Sequence, residues 1–266
     1  MDGQITPQGE NATETAAISI GSVLGRSWRI LVSSPRTFFG LAFIAVLPTL
    51  LVILLALRGS GLRSLTTAST GGSFAHNLLF MCVQGAAAYA VYRNATGRTA
   101  PFGESLRYGF ARLPSILGTS LLMGLVSVLV AFLFIILPGG IFGGVVALCA
   151  IAMIYTRWVV AIPICAVENK GAFESVTRSS ELTEGNRMKV FAVIVILFVP
   201  EQIVERIAAV ATAVAIMRGV PFAGLLSLVV TLPLTAYQIV TNAVLYYELR
   251  TAKEGTDIEA LADVFD

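Results

Sequence analysis

Six stretches of about twenty residues, each poor in charge, dictate what this chain can become. Twenty apolar residues wound as a helix measure about 30 Å, the thickness of a bilayer's hydrocarbon core. Such stretches run over 38–57, 74–92, 115–137, 141–165, 190–217 and 221–247. The second is the most dilute, since His76, Asn77 and Gln84 interrupt it. With 56% hydrophobic and 13% charged residues, the chain has too little polar surface to cover a water-soluble globule of its size. The expected fold is all-α: a polytopic membrane protein of six transmembrane helices in three hairpins. The links inside the hairpins, "RGSGLRSLTTASTGGS", "PGG" and "RGV", are short or flexible.

The placement of cations tests that topology. Arg26, Arg29, Arg36, Arg93, Arg98, Arg107, Arg112, Lys170, Arg178, Arg187, Lys189, Arg250 and Lys253 all fall on one side of the six spans, against Arg58, Arg63 and Arg218 on the other. Cytoplasmic loops hold the excess of Lys and Arg, so both termini are expected in the cytoplasm. Residues 1–16 carry acids rather than a basic start and an apolar core, and read as a disordered tail rather than a signal peptide. The transmembrane domain then covers 17–250, and 251–266 form an acidic cytoplasmic tail. Ile258, Leu261 and Phe265 give that tail an apolar side, suited either to docking a partner or to packing on the chain itself. A net charge of +2 implies no nucleic-acid partner.

Each hairpin is preceded on the cytoplasmic side by a similar segment: "IGSVLGRSWRILVSSPRTFF", "FGESLRYGFARLPSILG" and "FESVTRSSELTEGNRMKVF". Each starts from a Ser followed by Val or Leu (Ser22, Ser105, Ser175), carries an Arg within four residues (Arg26, Arg107, Arg178), and enters a span soon afterwards. They read as three interfacial amphipathic helices and a threefold internal repeat. In the third, Phe173, Val176 and Leu182 are expected on an apolar side and Gly185 as the helix stop. Two roles fit these helices: structural hinges, or holders of anionic lipid headgroups through Arg26, Arg107, Arg178 and Arg187.

The stretch "AIPICAVENKGAFESVTRSSELTEGNRMKVFAVIVIL" and the ending "LYYELRTAKEGTDIEALADVFD" resemble a family of bacterial inner-membrane proteins. It includes the YciC-like proteins and the membrane domain fused to some glycerophosphoryl diester phosphodiesterases. The shared features are a proline-containing helix end, Glu-x-x-Gly, an Arg-Ser helix, and Leu-Thr-x-Gly-Asn-Arg. The resemblance implies a six-span protein of the bacterial inner membrane with no established chemistry of its own.

Charge inside the fifth stretch narrows its orientation. Glu201, Glu205 and Arg206 facing lipid would each cost about 2.5–3.5 kcal/mol, against about 0.3–0.6 returned by each Val, Ile, Leu or Phe. They must therefore face protein. Glu201, Glu205, Ala208, Thr212 and Ala215 form a polar and small stripe at helical spacing, opposite Ile203, Ile207, Val210, Val214 and Met217. Thr231, Thr235, Gln238 and Asn242 form a matching stripe on the sixth stretch. Arg157 lies roughly 15 Å from its cytoplasmic helix end, which predicts an ion pair with Glu201 or Glu205, near Gln238 and Gln84. Arg206 is expected to snorkel outward or to bond Gln202. This cluster serves either to lock the bundle or to form a polar pathway.

Signs of catalysis are few. His76 is the single histidine, which excludes paired-His chemistry within one chain, and no hydrolase, zinc-protease or phosphate-loop motif is present. Cys82, Cys149 and Cys165 sit in apolar runs and read as small buried hydrophobes. No catalytic residue, metal or cofactor is expected. The reading is a non-enzymatic membrane protein, in contact with lipids, serving envelope integrity or scaffolding a protein partner in the membrane. The alternatives are a transporter of a small molecule or lipid, and an anchor for a soluble lipid-metabolising enzyme.

Overall fold

The computed structural model describes residues 18–57, 62–95, 98, 101–136, 140–218 and 223–254. The chain forms α1 (Ile20–Ser33), α2 (Pro35–Leu57), α3 (Leu62–Ala95), α4 (Phe102–Ala111), α5 (Leu113–Ile136), α6 (Gly140–Trp158), α7 (Ala161–Val167), α8 (Ala172–Thr183), α9 (Arg187–Met217) and α10 (Ala223–Glu254). No strand occurs among the described residues. Among the described residues, four apolar stretches are long enough to cross a membrane: Pro35–Leu55, Leu113–Leu133, Phe142–Val167 and Leu228–Glu254. α3 and α9 are also long, with 34 and 31 residues.

α3 is the central helix, and that position explains its composition. It packs against α2, α4, α5, α7 and α10, and its residues 82–92 are all buried. A helix enclosed by other helices needs small side chains for close approach more than it needs a greasy exterior. Ala86, Ala87, Ala88 and Ala90 supply them. At Gly109 of α4 a Cβ would stand 2.8 Å from the Cys82 carbonyl oxygen and 2.9 Å from the Ala86 Cβ, so α4 rests directly on the α3 backbone. Glycine is required there by this contact. By contrast α5 and α6 turn Leu121, Val128, Phe132, Phe142 and Leu148 outward.

Several boundaries differ from the sequence expectation. Residues 62–73, read as part of a flexible link, are helical and belong to α3. No proline interrupts them, so the helix propagates outward from the packed core. The fourth apolar stretch is broken at Val159–Val160, with α7 following as a separate, wholly buried turn of helix. Pro163 accounts for this: it lacks the N–H that would bond the Val159 carbonyl, and its ring crowds that carbonyl. α10 runs seven residues beyond the expected end at Tyr247. The tails at 1–16 and 255–266 and the links at 58–61, 137–139 and 219–222 lie outside the described residues.

α1, α4 and α8 are short helices, and α8 ends before Gly185, whose φ of 83° suits glycine. Their buried faces need two corrections. Phe173 is exposed, because α8 instead buries Ser175, Val176, Ser179, Leu182 and Thr183 against its neighbours. Small hydroxyl residues let the α8 backbone approach α6 closely enough for Ser179 Oγ to donate to the Arg157 carbonyl at 2.7 Å. Ser105 and Ser175 are fully buried while Ser22 is exposed, so the three sequence segments do not share one burial register. Cys149 is likewise exposed on the outer side of α6.

Candidate functional site

Two polar assemblies stand out against the apolar bundle. The first lies between α6, α9 and α10. Glu201 is 8% exposed, with Glu205 one turn further along α9 as its electrostatic neighbour. The outer side of α9 is apolar, with Ile203, Ile207, Val210 and Val214 exposed. Beside this face a crevice of about 10 Å³ is lined by Tyr155, Val159, Ile194, Leu197, Phe198, Gln238 and Asn242. That volume holds about one water. Asn242, 7% exposed, is part of that lining.

The expected ion pair does not form. Arg157 is exposed, and no described cation reaches Glu201 or Glu205. The break before Pro163 removes the helical register on which the depth count rested. Tyr155 lies toward α9 as the neighbour of Glu201. Arg157, two residues on and about 200° around the helix, faces away. Arg206 is exposed and does not bond Gln202, whose amide Nε2 donates to Glu205 at 3.4 Å. Gln238 is at the crevice, whereas Gln84 is buried on α3 away from its lining.

The second assembly lies at the end of the bundle where the short helices sit. Glu168, after α7, is its hub: it accepts from the Tyr246 hydroxyl at 3.0 Å, pairs with Lys170 at 3.0 Å and stands 3.6 Å from Arg178 Nε. Arg178 also pairs with Glu181 at 3.7 Å and with Glu254. Arg250 bonds Glu254 at 2.9 Å and the Tyr246 hydroxyl at 3.1 Å, and Lys253 reaches Glu184 at 3.9 Å. This network ties α8 to the last turns of α10. Arg26 joins α1 to α10 through Glu248 at 2.9 Å. Glu104 of α4 accepts from the Tyr89 hydroxyl at 2.6 Å and pairs with Arg93 at 3.6 Å, both on α3.

Neutral contacts close the same layer. The Asn94 amide donates to Ser33 and Ser34 at 2.8 and 2.9 Å, and Tyr237 donates to the Leu24 carbonyl at 3.0 Å. Tyr108 of α4 donates to the Ala166 carbonyl at 2.9 Å, and Arg112 bonds the Asn169 side chain. Burial pushes the Tyr108 phenol above its ordinary range, and the nearby Arg112 guanidinium offsets part of that.

Of the four arginines expected at lipid headgroups, Arg26 and Arg178 are thus engaged inside the protein. Arg107 is exposed. Arg187 is half-buried, with a buried Nε that has no partner among the described residues. Glu168 is the acid of the Glu-x-x-Gly feature, but nothing in the sequence points to its contact with Tyr246 or to the Arg178–Glu254 pair. Arg250 and Glu254 are four residues apart and could have been paired by helix spacing, but Glu168 meets Tyr246 across 78 residues. No group of His, Cys, Asp and Glu with metal-binding geometry occurs among the described residues.

Fold and polar layers together define a multi-helix protein of membrane type, with four helices among the described residues long and apolar enough to span a bilayer. No family model, curated protein or solved structure gives a match to the chain.

Proposed function

We propose that the chain is a six-span protein of the bacterial inner membrane, with both termini cytoplasmic, that acts without catalysis in envelope integrity or as a scaffold for membrane partners. Helix lengths support the two extra spans. α3 has 34 residues and α9 has 31, about 51 and 46 Å at 1.5 Å per residue, both beyond the roughly 30 Å hydrocarbon core. α3 is enclosed by other helices along residues 82–92 and needs little lipid-facing apolarity there, and α9 buries Glu201 while turning branched side chains outward. In this reading α2/α3, α5/α6 and α9/α10 are the hairpins, and α1, α4 and α8 lie at the cytoplasmic interface. The YciC-like resemblance supports the bacterial location.

One observation carries the scaffold reading: each of α1, α4 and α8 is fastened by an ion pair to a long helix, through Arg26–Glu248, Arg93–Glu104 and Arg178–Glu254. Such a layer forms a braced cytoplasmic platform. A transporter is the second reading, favoured by the burial of Glu201 and Asn242 beside the crevice; the space for about one water weighs against passage of a solute in this conformation. Anchoring of a soluble lipid-metabolising enzyme would appear as co-purification.

Glu201→Gln separates the first two readings. A scaffold predicts lower folded yield and a lower melting temperature, with no change in solute flux across proteoliposomes. Normal yield with loss of a pH-dependent flux would instead assign transport.

A further inference from the structure

Two groups of cations in the short-helix layer differ in their partners. Arg26, Arg93, Lys170, Arg178, Arg250 and Lys253 are each paired with a glutamate. Arg29, Arg36 and Arg107 are exposed and meet no carboxylate among the described residues. These three lie on adjoining elements: Arg29 on α1, Arg36 in the first turn of α2, and Arg107 on α4, whose Phe102 ring packs over Gly40 of α2.

The same elements expose large apolar groups. Trp28 is 60% exposed, with Val32 one turn away on the same face and Arg29 on its flank; Phe110 is exposed one turn from Arg107. A surface facing only water would not favour Trp, Val and Phe between unpaired arginines. A surface lying at a bilayer's headgroup level favours both, because the rings enter the acyl boundary and the guanidiniums reach phosphate.

We infer that α1, the start of α2 and α4 form a binding surface for anionic phospholipid headgroups, with Arg29, Arg36 and Arg107 as the cations and Trp28, Val32 and Phe110 as the apolar contacts. The inference rests on the membrane-embedded reading. It replaces Arg26 and Arg178, whose charge is used internally, by Arg29 and Arg36. Charge complementarity selects the occupant: phosphodiester monoanions on a leaflet attract each nearby cation by about fivefold in affinity at low salt, and the attraction fades as salt screens it.

The test uses Trp28 as its reporter. The chain has two tryptophans, so Trp158→Phe leaves Trp28 alone. The full-length protein is reconstituted in phosphatidylcholine vesicles containing either brominated phosphatidylglycerol or brominated phosphatidylcholine, and Trp28 quenching is compared. The expected result is a preference of about fivefold or more for the anionic lipid. That preference should fall in 0.5 M salt, disappear in Arg29→Gln/Arg36→Gln, and survive in Arg29→Lys/Arg36→Lys. Equal quenching by both lipids overturns the inference while leaving the membrane reading intact. Quenching by neither shows that Trp28 does not meet lipid and overturns both the inference and the interfacial placement of α1. A preference that appears only after residues 255–266 are removed would make the acidic tail the occupant of this surface, and overturns the inference too.

Discussion

Replacing Glu168 by alanine should destabilise the protein far more than replacing Glu181 by glutamine, although both carboxylates pair with Arg178. The Glu168 side chain is 11% exposed and serves Tyr246, Lys170 and Arg178. Its truncation leaves the fully buried Tyr246 hydroxyl without this acceptor, a loss of about 1–3 kcal/mol for an unsatisfied buried group. Loss of the carboxylate's charge adds to that, although Lys170 can turn to solvent and Arg178 keeps Glu254. The sum is about 2–3 kcal/mol. Glu168→Gln preserves the shape and an acceptor for Tyr246, and should cost about 1 kcal/mol. Glu181 is 58% exposed, so Glu181→Gln should cost less than about 0.5 kcal/mol. Unfolding of the purified protein in mild detergent, followed by helical circular dichroism against added denaturing detergent, measures each difference. Equal stability of Glu168→Ala and Glu181→Gln would refute the assignment of Glu168 as hub.

Further outcomes follow from single contacts. Gly109→Ala must push α4 off α3 and should cost about 1–3 kcal/mol, whereas Gly103→Ala meets nothing within 4 Å and should be neutral or slightly stabilising; melting of the two variants checks the difference. Arg157→Ala should change stability by less than about 0.5 kcal/mol, and a loss of about 3–5 kcal/mol in the same denaturation assay would restore the buried pair with Glu201. Tyr108 has a folded-state pKa raised by burial, so its contribution is complete below the unfolded value of about 10 and drains away as pH rises through the folded one. Tyr108→Phe should therefore lose stability at neutral pH, through the unserved Ala166 carbonyl, and show a shallower decline above pH 10 in melting scans.

Much of the helical order was legible because it depends on local chemistry. Charge-poor runs mark the long helices, and the arginine-rich breaks between them mark α1, α4 and α8. The two faces of α9 follow from the spacing of Glu201 and Glu205 against Ile203 and Ile207. What failed depended on rotation and long-range pairing. Pro163 advertises a disturbance, but not that α6 would end at Trp158 with Tyr155 rather than Arg157 toward α9. Glu168 is legible only as the acid of a Glu-x-x-Gly feature after an apolar run; folding alone brings Tyr246, Arg178 and the end of α10 around it. Cys149 reads as buried because its neighbours are apolar, a criterion that cannot separate a buried face from one that meets lipid.

The central claim is that α3 and α9 cross the bilayer, leaving α1, α4 and α8 together on the cytoplasmic side. Single cysteines at Gly59, Gly139 and Gly219, and in turn at Arg98, Lys170 and Glu254, can be placed in a chain lacking Cys82, Cys149 and Cys165. Labelling with a membrane-impermeant thiol reagent on intact spheroplasts then reads each side. The account predicts labelling at 59, 139 and 219 from outside, and at 98, 170 and 254 only after permeabilisation. External labelling at 98 or 170, or protection at 219 until permeabilisation, would contradict six spans.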